Sequence, residues 1–129
     1  MAVKRILIVD DEEVVLDLLV AYFSLYNEKR QRLGEFPIQV AVAKNGQEAW
    51  DMICQAQGDF DVVLSDVRMP NIDGPELYRR IRGEYPRIIV KFMSGEDPRK
   101  LPKEVREAGC SRKPFPKSSL VTEIYDILT

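Results

Sequence analysis

Histidine is absent from all 129 residues. That gap removes imidazole metal ligands, Ser-His and Cys-His catalytic pairs, and any phosphohistidine carried by the chain itself. Cysteine is scarce: Cys54 and Cys110 are the only two. Their spacing matches neither a redox nor a zinc motif, which points to a reduced, cytoplasmic setting. Long apolar runs are missing as well. The longest, residues 14–25, is broken by Asp17 and Ser24 and falls short of the eighteen or so residues that span a bilayer, so no membrane insertion is expected. The opening MAVKRILIVDD has too short an apolar core and no cleavage site for a signal peptide. With a net charge of -2, the chain has no global field that would draw nucleic acid. No repeat, low-complexity tract or Gly/Ser linker divides it, so a single domain over 1–129 is expected. Chemistry here must run on carboxylates, hydroxyls and amines.

What is present alternates strand and helix. RILIV (5–9) is a continuous aliphatic run and reads as a buried strand. A helix follows from about Glu12, with Val15, Leu18, Leu19, Tyr22 and Tyr26 at helical spacing. IQVAVA (38–43) is the second strand, and the helix from about Gly46 buries Ala49, Trp50 and Ile53. DVVLS (61–65) is the third strand, after which Pro75 opens a helix where its missing N–H costs nothing. RIIVKFMS (87–94) is the fourth. A helix of about two turns runs from Pro102 to Gly109, which suits a left-handed cap. The closing segment 116–128 is amphipathic, with Leu120, Ile124, Ile127 and Leu128 on one side. Such alternation predicts an α/β fold with parallel strands joined by right-handed crossovers.

In VVLSDVRMPNIDG (62–74) an apolar strand ends on a carboxylate and passes at once into a Pro and Asp-Gly turn. The carboxyl ends of strands are where open α/β sheets hold ligands. Asp10 and Asp11 follow the first strand, Asp66 ends the third, Ser94 ends the fourth, and Lys113 stands where a fifth should end. Singly, each has an ordinary role: an aspartate caps a helix, a lysine is solvated, a serine sits in a turn. Together at one sheet edge they form a constellation. Clustered carboxylates resist ionisation unless a cation joins them, and a hard ion with oxygen ligands, best Mg²⁺, suits them. With Mg²⁺ and the Lys113 ammonium the formal charges of the three carboxylates cancel. Such a site is poised for a phosphoryl group, with Asp66 as nucleophile and Ser94 as hydrogen-bond donor.

LIVDDEE, VLSDVRMPNIDG, MSG and KPF, in this order over positions 7–115, resemble the receiver domain of two-component response regulators, in particular single-domain, chemotaxis-regulator-like members. The resemblance implies a doubly wound, five-stranded parallel sheet of flavodoxin-like order 2-1-3-4-5 flanked by five helices. It makes Asp66 the phosphoacceptor, Asp11 a direct Mg²⁺ ligand, Asp10 a ligand through water, and Arg68 the source of a backbone carbonyl in the metal shell. Ser94 becomes the residue that contacts the phosphoryl group in the active form. Lys113 reaches the phosphoryl oxygens, and the Lys113–Pro114 bond is implied to be cis. The implied partners are a histidine kinase or histidine phosphotransfer protein as donor and a downstream protein target. Such a module is not an enzyme beyond its own phosphorylation and dephosphorylation.

Two stretches depart from the family pattern. Residues 24–37 are longer than usual and predict an extended first helix, then a loop with Gly34 and Pro37; the basic cluster Lys29, Arg30 and Arg32 reads as a solvated helix end. Only CSR separates Gly109 from Lys113, so the fifth strand should be short or irregular. It lacks the aromatic whose inward turn reports phosphorylation in the family. Counted back from Lys113, Cys110 takes its place; counted forward from Gly109, it is deleted. A chain ending at Thr129 leads to the expectation of a stand-alone receiver without an output domain. The competing reading is a pseudo-receiver that binds a partner constitutively. A phosphatase of the dehalogenase type is rejected, because it needs an acid two residues after the nucleophile, where Arg68 stands.

Overall fold

The computed structural model describes residues 3–112 together with Ile124, Asp126 and Leu128. Five strands form one parallel sheet: β1 (Arg5–Val9), β2 (Gln39–Ala43), β3 (Val62–Asp66), β4 (Ile89–Ser94) and β5 (Cys110–Arg112). Their parallel pairing is what the alternating pattern predicts, and their spatial order, β2-β1-β3-β4-β5, is the one the family resemblance implies. The helices are α1 (Glu13–Arg32), α2 (Gly46–Gln55), α3 (Gly74–Glu84) and α4 (Lys103–Ala108), with one 3-10 turn at Pro98–Lys100. The expected fifth helix lies largely outside the described residues; Ile124, Asp126 and Leu128 are helical.

The central strands carry no polar face because both sides of the sheet are covered. Successive residues of β1 divide between two cores. Leu7 and Val9 join Val63, Val90 and Phe92 under α2, α3 and α4. Ile6 and Ile8 join Val62, Leu64 and Met93 beneath α1, Ile124 and Leu128. The register fixes this division: Ile6 pairs with Val40 on one side and with Val62 on the other.

Side-chain caps start two of the helices. Asn45 accepts from the Glu48 N–H at 2.8 Å to open α2, and Asp73 accepts from the Glu76 N–H at 2.9 Å to open α3. Pro75 stands in the first turn of α3, as its position suggested. Sequence and structure part company on α1. Its buried residues are Leu16, Leu19 and Phe23, whereas Leu18 is exposed and Val15, Tyr22 and Tyr26 are only partly buried at the core margin. The segment VVLDLLVAYFSLY is apolar at so many positions that periodicity alone does not select the sheet-facing side. Strands two and four begin one and two residues later than their apolar runs, and strand three runs one residue further, onto Asp66 itself. Trp50 is half-buried, packed against the core that takes Ala49 and Ile53 whole.

The long segment after α1 is tied down. The Asn27 side chain donates to the Ile38 carbonyl at 2.9 Å and accepts from the Ile38 N–H at 2.8 Å, as a neighbouring strand would. Arg30 donates to the Phe36 carbonyl at 2.8 Å and pairs with Glu35 at 3.1 Å. Of the basic cluster, Arg30 is therefore engaged within the loop. β5 has three residues and pairs in parallel with β4, Cys110 opposite Phe92 and Arg112 opposite Ser94. It is short, as expected, and regular in its pairing. Gly109 ends α4 with φ 99° and ψ 132°, a positive φ but an extended ψ, so it is a turn out of the helix and not a left-handed cap.

Candidate functional site

β1 and β3 run side by side, and each delivers a carboxylate at its carboxyl end. Asp10 is fully buried and Asp66 is 7% exposed. Buried carboxylates need partners, and both have backbone ones: Asp10 accepts from the Glu12 N–H at 2.9 Å, and Asp66 from the Val67 N–H at 2.9 Å. Asp11 and Glu12 complete a group whose ligand oxygens lie within 4.8 Å of one another, together with Asp10 and Asp66. Glu12 is the member that sequence reasoning missed; its signal is the acidic run Asp10-Asp11-Glu12 at a strand end, where Glu12 also stands at the N-cap of α1.

The backbone around Asp66 is held from three sides. The Val67 N–H donates to the Met93 carbonyl at 3.1 Å and the Gly74 N–H to the Val67 carbonyl at 2.9 Å. The Ser65 hydroxyl donates to the Asp66 carbonyl at 2.8 Å. Gly74 has to be glycine: a Cβ there would stand 2.5 Å from the Asp66 carbonyl oxygen and 2.9 Å from the Phe92 ring. Gly46 meets the same demand against the Ile72 carbonyl, so the first turn of α2 is locked to the loop that follows Asp66.

Ser94 is buried at the end of β4, one residue beyond Met93, the register partner of Asp66. Its hydroxyl oxygen accepts from the Glu96 N–H at 3.0 Å. Arg68 reaches across the site, donating through Nε to Glu96 at 2.7 Å. This pair holds the Glu96 carboxyl below its usual value, through the hydrogen bond first, and lifts the Arg68 guanidinium above its own. Glu96 too was not foreseen; nothing in an exposed Gly-Glu-Asp turn marks it. Asp11, Arg68, Met69, Pro70 and Asp73 line an open depression beside the acidic group. Cys110, which begins β5, has its thiol pushed up by burial and then by the negative charge of Asp66.

Thus Asp10, Asp11 and Asp66 come together, Ser94 lies at the neighbouring strand end, and the Arg68 side chain spans from β3 to the loop after β4. Lys113 and the Lys113–Pro114 bond lie outside the described residues. The donor set of the acidic group is all oxygen, with no nitrogen or sulfur, which fits a hard divalent cation such as Mg²⁺. Among the described residues no buried side-chain nitrogen or oxygen lacks a hydrogen-bond partner, and no helix is long and apolar enough to cross a membrane.

The chain matches the family model described as response regulator receiver domain over residues 6–125. It is 39% identical over 90 residues to the sensor kinase CckA of Brucella abortus, a match spanning 67% of this chain but 9% of that protein. A two component transcriptional regulator AraC from Clostridium phytofermentans is similar in structure, with a TM-score of 0.74 and 33% identity, covering 96% of this chain and 90% of that one. The chemotaxis response regulator CheY4 of Vibrio cholerae shares the fold, with a TM-score of 0.78, 23% identity, and coverage of 98% and 99%.

Proposed function

The chain belongs to the response regulator receiver family, and on that premise we propose that it accepts a phosphoryl group on Asp66 and signals by binding another protein. The donor is a phosphohistidine of a histidine kinase or histidine phosphotransfer protein, and residues 1–129 act as one receiver domain. The observation that carries this reading is the gathering of the buried Asp66 carboxylate with Asp10, Asp11 and Glu12 within 4.8 Å.

A carboxylate oxygen of Asp66 attacks the donor's phosphorus, the P–N bond breaks, and its electron pair returns to the donor imidazole, leaving an aspartyl phosphate. Asp10, Asp11 and Asp66, with the Arg68 backbone carbonyl, are the residues that would hold Mg²⁺. When bound, that ion neutralises charge on the phosphoryl oxygens and on the clustered carboxylates. The Asp66 backbone, fixed by Val67, Met93 and Gly74, orients the nucleophile. The Ser94 hydroxyl donates a hydrogen bond to a phosphoryl oxygen, and Lys113 supplies an ammonium to the same group. Hydrolysis of the acyl phosphate by water resets Asp66.

A small phosphodonor tests this. Acetyl phosphate with Mg²⁺ should yield one phosphoryl adduct by intact-mass spectrometry. Chelation and Asp66→Asn should each abolish it. An adduct that survives Asp66→Asn places the chemistry elsewhere. No adduct from any donor makes the chain a constitutive binding module, the reading that the three-residue β5 favours.

A further inference from the structure

Two loops meet beside the Asp66 site, and one ion pair ties them together. Arg68, just past the end of β3, lines the depression that it shares with Asp11 and Asp73. Its guanidinium is bound to Glu96, in the loop after β4, through Nε at 2.7 Å and through a terminal nitrogen at 3.3 Å. The Glu96 backbone is fixed separately, its N–H donating to the Ser94 hydroxyl oxygen at 3.0 Å. The turn that follows is closed on itself. Asp97 accepts from the Arg99 N–H at 2.9 Å and pairs with the Arg99 guanidinium at 2.8 Å, and the Lys100 N–H donates to the Asp97 carbonyl at 2.9 Å.

Phosphorylation would change the charge beside this pair. An Asp66 carboxylate carries one negative charge, whereas an aspartyl phosphate carries about two, spread over oxygens that lie further out than those of the carboxylate. A guanidinium meets such a group with two parallel hydrogen bonds. Its present partner holds it less firmly, because both side chains stand partly in solvent and an ion pair in that setting contributes little. The Ser94 tie is not contested in the same way. A hydroxyl accepts from the Glu96 N–H and still has its own proton to donate. The Glu96 carboxylate, and not its backbone, is therefore what a phosphoryl group on Asp66 would free.

Resting on the phosphoacceptor reading above, we propose that Arg68 changes partner on phosphorylation: its guanidinium leaves the Glu96 carboxylate for the phosphoryl group, and the unpaired Glu96 carboxylate is the signal shown to a downstream protein. The signal is a change in surface charge, a neutralised pair becoming a free carboxylate in the loop after β4. It needs neither an aromatic in β5 nor a long α4, and the chain has neither. The partner that suits it presents a basic side chain to that loop.

Beryllofluoride, a phosphoryl mimic, tests the exchange when added with Mg²⁺ to the whole chain and compared with Mg²⁺ alone. In NMR spectra of the side chains, the Arg68 Nε–H and the Glu96 carboxyl carbon should both shift, the second toward its position in Arg68→Ala. Affinity gives an independent reading. Arg68→Ala should weaken beryllofluoride binding about two- to fivefold, the range of an exposed ion pair. Glu96→Gln should tighten it by a similar factor, because the guanidinium then has no carboxylate to leave, and should have no effect in an Arg68→Ala background. Beryllofluoride that binds while both side-chain signals stay as in Mg²⁺ alone overturns the proposal and leaves the phosphoacceptor reading standing. A Glu96→Gln effect that persists without Arg68 overturns it as well. Failure of both beryllofluoride and acetyl phosphate to engage Asp66 removes the reading beneath it, and this one with it.

Discussion

Asp66 acts on its surroundings through its charge. The Cys110 thiol is pushed up by burial and then by the Asp66 carboxylate, and a thiol reacts only as thiolate. Iodoacetamide should therefore label the exposed Cys54 first, with Cys110 lagging until alkaline pH. Asp66→Asn removes one of the two causes and should speed Cys110 labelling; peptide mass mapping reads both rates. Arg68 and Glu96 offer a second test. Their pair lowers the Glu96 value from the ordinary 4.5, so what it contributes is present above that ordinary value and is lost as pH falls through the lower folded one. The side chains are 66% and 42% exposed, so salt screens them. In carboxyl-detected NMR titrations, Glu96 should titrate below other glutamates and move back up in Arg68→Ala or in high salt. These residues differ in how visible they are in sequence. Asp10, Asp11, Asp66 and Ser94 are legible as a set, because they stand at or just after the ends of three apolar runs that alternation brings to one sheet edge. Glu96 is not, because its role depends on a guanidinium arriving from the loop after β3.

At the scale of elements, the strands were legible because a doubly covered sheet demands continuous aliphatic runs, and RILIV and DVVLS permit little else. The orientation of α1 was not, since it is set by packing against Ile6, Ile8 and Met93, which no local periodicity reports. The turns lie between these extremes. Asp73, Gly74 and Pro75 announce a helix start, but only the structure shows why the middle residue bears no side chain. Gly74→Ala should push α3 away from the end of β3, destabilising the protein by about 1–3 kcal/mol or more, the usual cost of overpacking. It should also cut phosphorylation of Asp66 in the protein that remains folded. Urea unfolding and the acetyl phosphate assay measure the two effects. Equal activity per folded molecule would mean that the Asp66 backbone does not depend on that contact.

Across the whole molecule, the sheet separates two cores on its opposite sides. Phe92 and Cys110 look into the core shared with α3 and α4, whereas Ile124 and Leu128 pack in the other. No aromatic stands in β5, whose three residues are Cys110, Ser111 and Arg112, and α4 has only six residues. A phosphoryl mimic shifts an equilibrium only through its differential contacts. Beryllofluoride with Mg²⁺ should thus move the amide signals of residues 94–100 most and those of 116–128 little. Shifts of equal size throughout 116–128 would mean that another residue couples the site to that end. The opposite edge of the fold has a different consequence. The two hydrogen bonds between Asn27 and Ile38 close the segment between them into a ring fastened at its base, at the amino-terminal end of β2 and away from the acidic group. Inside it Gly34 has open space around it. Loop length beyond such a clasp costs little, so foreign sequence grafted at Gly34 should leave the Asp66 chemistry untouched, and the protein carries a natural attachment point for a reporter.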